Sequence, residues 1–500
     1  MKRLPLLSTI LVSAFIGVAS TRGGSHVYDD AFITMRYARN LAEGNGLVYN
    51  VGENVLGTSA PLFALLLAGP ARLLGPDAIP AVSVGIGLSA LLLTALLLLR
   101  LLAPIAPAAI AVLAVAAALT PLETARVFAS GMETPLYLAA LAGALLLAAR
   151  GRDAAAFLVA GCLPFLHPDG ALLFVALAVA FGLRDRRIRL RPMLPGAAFA
   201  LLLAGALTAL FGSPVPHSVV AKRVAYPEAP FTALGALARS SVEVLLPPRV
   251  PDLAWPAPPP VAFAWEAGAP LLALVLLAAL FRSGRRALLR PEIAAAAIFA
   301  GTYLLAFAAA NPLVFPWYEA PLGVGLAIVA GALAGEASRG GPSDRFIARV
   351  GAAVLTAGTL LRLALFAPYP TADREAIYRT AALRMGASPS EVVLAPEIGA
   401  LGFYSRARIW DTAGLVTPEA LRFRDEAWRR RESGPEAIGG GTIPPGAIEA
   451  VRPDWVVGLS RFVDPLLRVR PSSLDGYELV AEYPTTRWAS RAVLVYRRSR

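Results

Sequence analysis

The chain repeatedly runs for nearly 20 residues with scarcely a charge, the length an α-helix needs to cross about 30 Å of hydrocarbon. Such runs stand at 4–20, 78–99, 104–121, 135–149, 154–166, 171–183, 192–211, 269–281, 292–310, 318–335 and 350–367. They amount to about eleven spans. Backbone groups in hydrocarbon must be satisfied within their own segment, so the expected fold class is an α-helical polytopic membrane protein. Composition agrees, because 57% of the 500 residues are hydrophobic and 16% charged, against about 45–50% and about 25% in soluble domains. An ordinary soluble enzyme is excluded. The stretch 4–20 also fits a signal peptide ending in the small residues Val18, Ala19 and Ser20, but the many later spans favour an anchoring first helix.

Charge then sets the expected topology. The 46 basic and 34 acidic residues leave a net charge of +12, but the arginines fall in short clusters between apolar runs, which is a topology signal and not a nucleic-acid footprint. With Lys2 and Arg3 in the cytoplasm, Arg100, the pair Arg150 and Arg152, and the clusters 184–191, 282–290 and 339–349 all fall inside. This holds if 61–74 is an interfacial or re-entrant helix and if 154–166 and 171–183 cross as a short pair. The transmembrane part is then 1–367, with external loops 21–77, 122–134 and 212–267. From 368 to 500, amphipathic runs at 372–385 and 419–431 alternate with the β-type runs EVVLAP, ARIWD, DWVVGL, YELVAEYP and AVLVYRR. That pattern predicts a soluble extracytoplasmic α/β domain. One cysteine, Cys162, excludes a disulfide within the chain and a thiolate zinc site, and its apolar surroundings predict core filling. Only Lys2 and Lys222 are lysines. That arginine bias suits a GC-rich bacterium, and hence its cytoplasmic (inner) membrane.

Polar chemistry concentrates in the expected external segments. Asp29 and Asp30 follow the first span directly. Adjacent carboxylates repel, so one gains basicity toward a hydroxyl, or both share a cation; the plain alternative is a helix N-cap. Arg36 and Arg39 follow at helical spacing and suit either a phosphate or neutralisation of the acids. Glu133 stands just ahead of a span, as a ligand or a cap. His167 and Asp169 sit in an HPDG break, a site or a Pro-Asp-Gly turn. His217, Lys222 and Arg223 form a cationic group suited to a lipid phosphate or to headgroups. Trp317, Tyr318 and Glu319 mark an outer boundary, as an aromatic belt or a sugar platform.

The succession YDDAFITMRYARNLAEGNGLVYNVGENVLGTS, SGMETPLY, HPDG, SPVPHSVVAKR and WYEAP resembles the polytopic GT-C glycosyltransferases, closest to the terminal arabinofuranosyltransferase-like group of cell-wall enzymes. The resemblance implies a transferase that uses a polyprenyl-phosphate-linked sugar donor on the outer membrane face, toward an envelope glycan or glycolipid acceptor. It implies that Asp29, with Asp30 beside it, is the catalytic base, and that Glu133 is the second acidic position. Arg36, Glu133, His167, Asp169, His217, Lys222, Arg223 and Tyr318 are the expected substrate-binding residues, and a divalent cation at Asp29, Asp30 and Glu133 is a further expectation. His167 stands where relatives commonly carry arginine. Membrane lipids are expected partners; nucleic acid is not. The rival class is a transporter or flippase whose charges line a path for an anionic or lipid-linked substrate.

Overall fold

The computed structural model describes residues 3–21, 27–246, 259–366, 372–429, 442–486 and 488–499. Parts of the expected loops 21–77 and 212–267, the expected boundary at 368 and the end of the run 419–431 lie outside the described residues. The chain order begins with α1 (Arg3–Thr21), α2 (Asp29–Ala42), α3 (Pro61–Leu74), α4 (Ile79–Leu102), α5 (Ala108–Leu119), α6 (Leu122–Val127), α7 (Thr134–Ala149), α8 (Asp153–Cys162), α9 (Ala171–Asp185) and α10 (Leu190–Phe211). It continues with α11 (His217–Ala225), α12 (Thr232–Leu245), α13 (Pro259–Gly284), α14 (Pro291–Ala310), α15 (Pro316–Ala337) and α16 (Pro342–Ala364). Five strands and the short helices among them complete it: α17 (Ala372–Met385), β1 (Val392–Ala395), α18 (Gly399–Tyr404), β2 (Arg408–Asp411), α19 (Ala420–Arg429), α20 (Ala447–Val451), β3 (Trp455–Leu459), α21 (Ser460–Val469), β4 (Tyr477–Pro484) and β5 (Ala492–Arg498). Two compact units result, one from Met1–Arg22, Val84–Leu203 and Ala229–Tyr369, the other from Gly23–Ser83, Ala204–Glu228 and Pro370–Arg500.

The first unit is helical, and a helix stands at every expected span. Six helices among the described residues are long and apolar enough to cross a membrane. The helices α5, α7 and α8 have 12, 16 and 10 residues, so the expected count of about eleven crossings is not reached on length alone. The helix α15 is the centre, with 83% of its apolar window buried, and it is rich in small residues. A Cβ added at Gly331 would lie 2.6 Å from the Ala114 Cβ, and one at Gly335 would lie 2.6 Å from the Ala106 Cβ. Helix association in lipid depends on such close backbone approach. The helix α10, only 11% buried, instead turns Leu201 and Leu202 outward. The buried Arg362 of α16 donates to the carbonyls of Glu243 (2.5 Å) and Leu246 (2.8 Å) and to Thr120 Oγ1 (2.9 Å), satisfying the end of α12. Cys162 departs from the core-filling expectation, being only half-buried at the end of α8.

The second unit contains the sheet, in the order β2-β1-β3-β5-β4. The five alternating runs in the sequence coincide with its five strands. Strand β1 is parallel to β2 and β3, whereas β5 is antiparallel to β3 and β4. Leu394, Val456, Val463, Leu466 and Leu494 share its core. On the edge strand β4, Leu479 and Val480 are both exposed, and a register irregularity between Leu479 and Ala481 interrupts its edge. The same unit holds α2, α3 and α11, so the long motif after the first helix packs with the C-terminal α/β fold. Its α18 bridges the parallel strands β1 and β2 and lies against α2.

Candidate active site

Tyr28 is extended, and α2 opens on Asp29 and Asp30 in its first turn. Successive side chains on a helix diverge by about 100°, and these two face different neighbours. Asp29 is buried; its Oδ2 accepts the Gly399 N–H at 3.0 Å and its Oδ1 the Ala400 N–H at 2.8 Å. Burial pushes its carboxyl above the ordinary range, against the opposing pull of the Arg374 guanidinium and the two amides. Asp30 keeps 31% of its side chain exposed, and its Oδ2 accepts a hydrogen bond from Lys222 Nζ of α11 at 3.0 Å.

Arg36 is corrected from the expected phosphate ligand to a framework residue. Its Nε donates to the Tyr49 carbonyl (2.8 Å), one terminal nitrogen to Gly402 O (2.7 Å), and the other to Ala407 O (2.8 Å) and Asn50 Oδ1 (3.4 Å). It is 6% exposed and lies over the Tyr49 ring at 4.4 Å. A guanidinium so committed has no fork left for a phosphate. Arg39 also donates to the domain, at the Phe403 carbonyl (2.7 Å). Asn50 pairs with both backbone groups of Ile409, at 3.0 and 2.9 Å, and Tyr49 Oη donates to Ile398 O at 2.6 Å.

The remaining cations lie on α11. Arg223 is exposed beside Lys222. The His217 backbone N–H donates to Leu56 O at 2.7 Å, and burial lowers the pKa of its imidazole while Glu419 opposes that shift. Behind Asp29 is a buried network that sequence reasoning missed. Arg374 bridges Glu375 (2.6 Å) and Glu397 (3.0 Å), and Tyr378 Oη donates to Glu397 at 2.5 Å. The one available signal was position: Glu397 follows β1 in a β-α-β unit, at the carboxyl end of a parallel strand, where such sheets commonly carry polar function. With Asp29 on two amides and Asp30 on an ammonium, these carboxylates do not suit the expected divalent cation, and no group of three or more candidate ligands that could hold a metal occurs among the described residues.

In the helical unit, Glu133 precedes α7, is 2% exposed and makes no side-chain cap bond to it. The HPDG break is a tight turn at Pro168–Gly170 that brings His167 Nδ1 within 2.8 Å of Asp169 Oδ1. The His167 ring lies 5.5 Å from that of Tyr137 and 5.4 Å from that of Tyr318. Tyr303 Oη donates to the Tyr318 carbonyl at 2.8 Å. Three expected residues, His167, Asp169 and Tyr318, thus form one cluster, to which the structure adds Tyr137 and Tyr303.

Comparison with solved structures completes the description. The crystal structure of ArnT from Cupriavidus metallidurans bound to undecaprenyl phosphate aligns over 98% of this chain and 97% of that one, with a TM-score of 0.54 and 15% identity. The Archaeoglobus fulgidus oligosaccharyltransferase tethered with an acceptor peptide aligns over 100% of this chain and 74% of that one, with a TM-score of 0.53 and 13% identity. The fold is the GT-C fold. Residues 371–496 match a family described as a domain of unknown function, DUF8728. No curated protein matches the sequence.

Proposed function

We propose that this chain is an inverting glycosyltransferase that moves a hexose or pentose from a polyprenyl-phosphate donor to a hydroxyl of a glycan, lipid or protein acceptor on the outer face of a bacterial cytoplasmic membrane. Its nearest group in this reading is the terminal arabinofuranosyltransferase-like one. The observation that carries the reading is the part-exposed Asp30 carboxylate with Lys222 Nζ at 3.0 Å, a base in the first turn of α2 beside a phosphate-seeking cation from α11. The ArnT structure with the same fold holds undecaprenyl phosphate, which supports a lipid phosphate as the leaving group.

The acceptor hydroxyl is a weak nucleophile and needs a base aligned for in-line attack, whereas a phosphate leaving group needs little acid assistance. Asp30 takes the hydroxyl proton as the acceptor oxygen bonds to the anomeric carbon. The bond from that carbon to the phosphate oxygen breaks, and Lys222 and Arg223 receive the freed phosphate charge. The donor phosphate competes with Asp30 for the Lys222 ammonium, so donor binding releases the carboxylate for proton transfer. Asp29 holds the turn that carries Asp30. Glu133, His167, Asp169, His217 and Tyr318 are assigned to substrate binding.

The test incubates membranes containing wild type, Asp30→Asn or Lys222→Ala with radiolabelled polyprenyl-phosphate sugars and follows label into the acceptor fraction. Wild type should transfer label, and Asp30→Asn should lose about 10²–10⁴-fold. Wild-type transfer by Asp30→Asn would sink the assignment of the base.

A further inference from the structure

The motif 29–50 grips residues 398–409 of the C-terminal domain by hydrogen bonds to their backbone groups, with Phe32 packed against the Phe403 and Tyr404 rings at 5.5 and 5.6 Å. Ile398 O, the amides of Gly399 and Ala400, the carbonyls of Gly402, Phe403 and Ala407, and both backbone groups of Ile409 take their partners from Tyr49, Asp29, Arg36, Arg39 and Asn50. Recognition by backbone requires close approach, and α18 carries glycine at the two positions, Gly399 and Gly402, that come nearest to Asp29 and Tyr49. A Cβ at Gly399 would fall 1.8 Å from the Asp29 carbonyl oxygen, and one at Gly402 would fall 1.8 Å from Tyr49 Oη. Neither position accepts a side chain without displacing the first turn of α2 or Tyr49. The partly buried Arg374, held between Glu375 and Glu397, supplies a positive charge that acts on Asp29.

Asp29 is therefore buried and fixed by backbone amides, whereas Asp30 is partly exposed and paired with the Lys222 side chain. Both Asp29 oxygens receive amides, and the residue is 7% exposed, while Asp30 emerges toward α11 with 31% of its side chain exposed. Fixing one of two adjacent helical residues against α18 fixes the direction of the other, because the angle between them is set by the helix.

We propose that α18 and its flanks are part of the catalytic apparatus: they are a template that sets the first turn of α2, with Asp29 as the positioning residue through which the C-terminal domain aims Asp30. This assigns the domain a role in turnover rather than in capture of a separate partner, and it rests on the transferase reading above.

The experiment uses the full chain in membranes. Steady-state transfer from a radiolabelled polyprenyl-phosphate sugar accepted by the wild type is measured for Asp29→Asn, Gly402→Ala, the double variant Gly402→Ala/Tyr49→Phe, and Asp30→Asn. Binding of undecaprenyl phosphate and amide exchange over 29–36 are followed in parallel. Asp29→Asn and Gly402→Ala should lower kcat at least tenfold with donor KM and undecaprenyl-phosphate affinity within twofold of wild type. Gly402→Ala should raise exchange over 29–36, and Tyr49→Phe, which removes the clashing hydroxyl, should restore part of kcat and of the protection. Wild-type kcat in Asp29→Asn and Gly402→Ala, or unchanged exchange in Gly402→Ala, overturns the template. Loss of transfer in Asp29→Asn alongside wild-type transfer in Asp30→Asn instead makes Asp29 the base and overturns both readings. If no donor is turned over, the transferase reading fails, and the exchange result still decides whether α18 sets the turn.

Discussion

Lys222 donates to Asp30 across 192 residues of sequence, at 3.0 Å, joining the last turn of α11 to the first turn of α2. Both side chains remain partly exposed, at 21% and 31%, so the pair is screened by water and its contribution to stability is small. Its interest lies in exchange: a phosphate oxygen offers the ammonium a stronger partner than a solvated carboxylate does.

Lys222→Ala should raise the donor KM and also lower kcat. Lys222→Arg keeps the charge but should recover activity only in part, since a planar guanidinium cannot follow a departing phosphate as a compact ammonium on a flexible stem does. Steady-state kinetics of the two variants check this, and wild-type behaviour of Lys222→Arg with an inactive Arg223→Ala would transfer the role to Arg223.

Arg36→Ala should cost folding and not donor affinity. Removing a buried guanidinium strands the carbonyls of Gly402 and Ala407, at about 1–3 kcal/mol for each unsatisfied group, while the Tyr49 carbonyl keeps the Asn40 amide. Arg36→Lys should not rescue, because an ammonium cannot span that fork. Thermal unfolding in detergent measures the loss; an unchanged midpoint with a raised donor KM would return Arg36 to the phosphate.

Burial raises the Glu375 pKa from 4.5 to about 7, with Arg374 opposing the shift and Asp29 adding to it. An acid whose pKa is higher folded than unfolded holds its proton more tightly when folded. Its contribution to stability is therefore full below pH 4.5 and is lost as the pH rises toward 7. Glu375→Gln should flatten that part of the profile, read as unfolding midpoints at pH 5 and pH 8. Identical slopes in wild type and variant would place the pH dependence elsewhere.

Gly331→Leu should force α15 away from α5, where the added Cβ already falls 2.6 Å from the Ala114 Cβ. Overpacking of this kind costs about 1–3 kcal/mol. The readout is the fraction of protein remaining monodisperse after heating in detergent, and a wild-type fraction would show that the helices part freely.

The proposed topology puts the N-terminus inside and the sheet domain outside. A phosphatase reporter joined after residue 499 should be active on the outer side, whereas activity of a cytoplasmic reporter at that point would reverse the parity drawn from the arginine clusters.

Apolar runs and their spacing were enough to predict a membrane protein with helices at the observed places, because burial in lipid and helical hydrogen bonding are decided by residues close in sequence. The same locality made the five strands legible in EVVLAP, ARIWD, DWVVGL, YELVAEYP and AVLVYRR. Asp29 and Asp30 were legible as a carboxylate pair after the first helix, and Lys222 as part of a separate cationic group with His217 and Arg223. Their division of labour was not, since adjacent aspartates are chemically alike until the chain brings Gly399 and Ala400 to one and Lys222 to the other. Arg36 was misread for the same reason: its helical spacing from the acids suggested a phosphate, but its partners at Gly402 and Ala407 lie 366 and 371 residues away. The pairing of His167 with Asp169 was near enough to suspect, whereas the Tyr318 ring that lies against His167 comes from a different helix. Sequence thus determined which segments are apolar, helical or extended. Tertiary closure decided which charge meets which, because that depends on contacts between segments hundreds of residues apart.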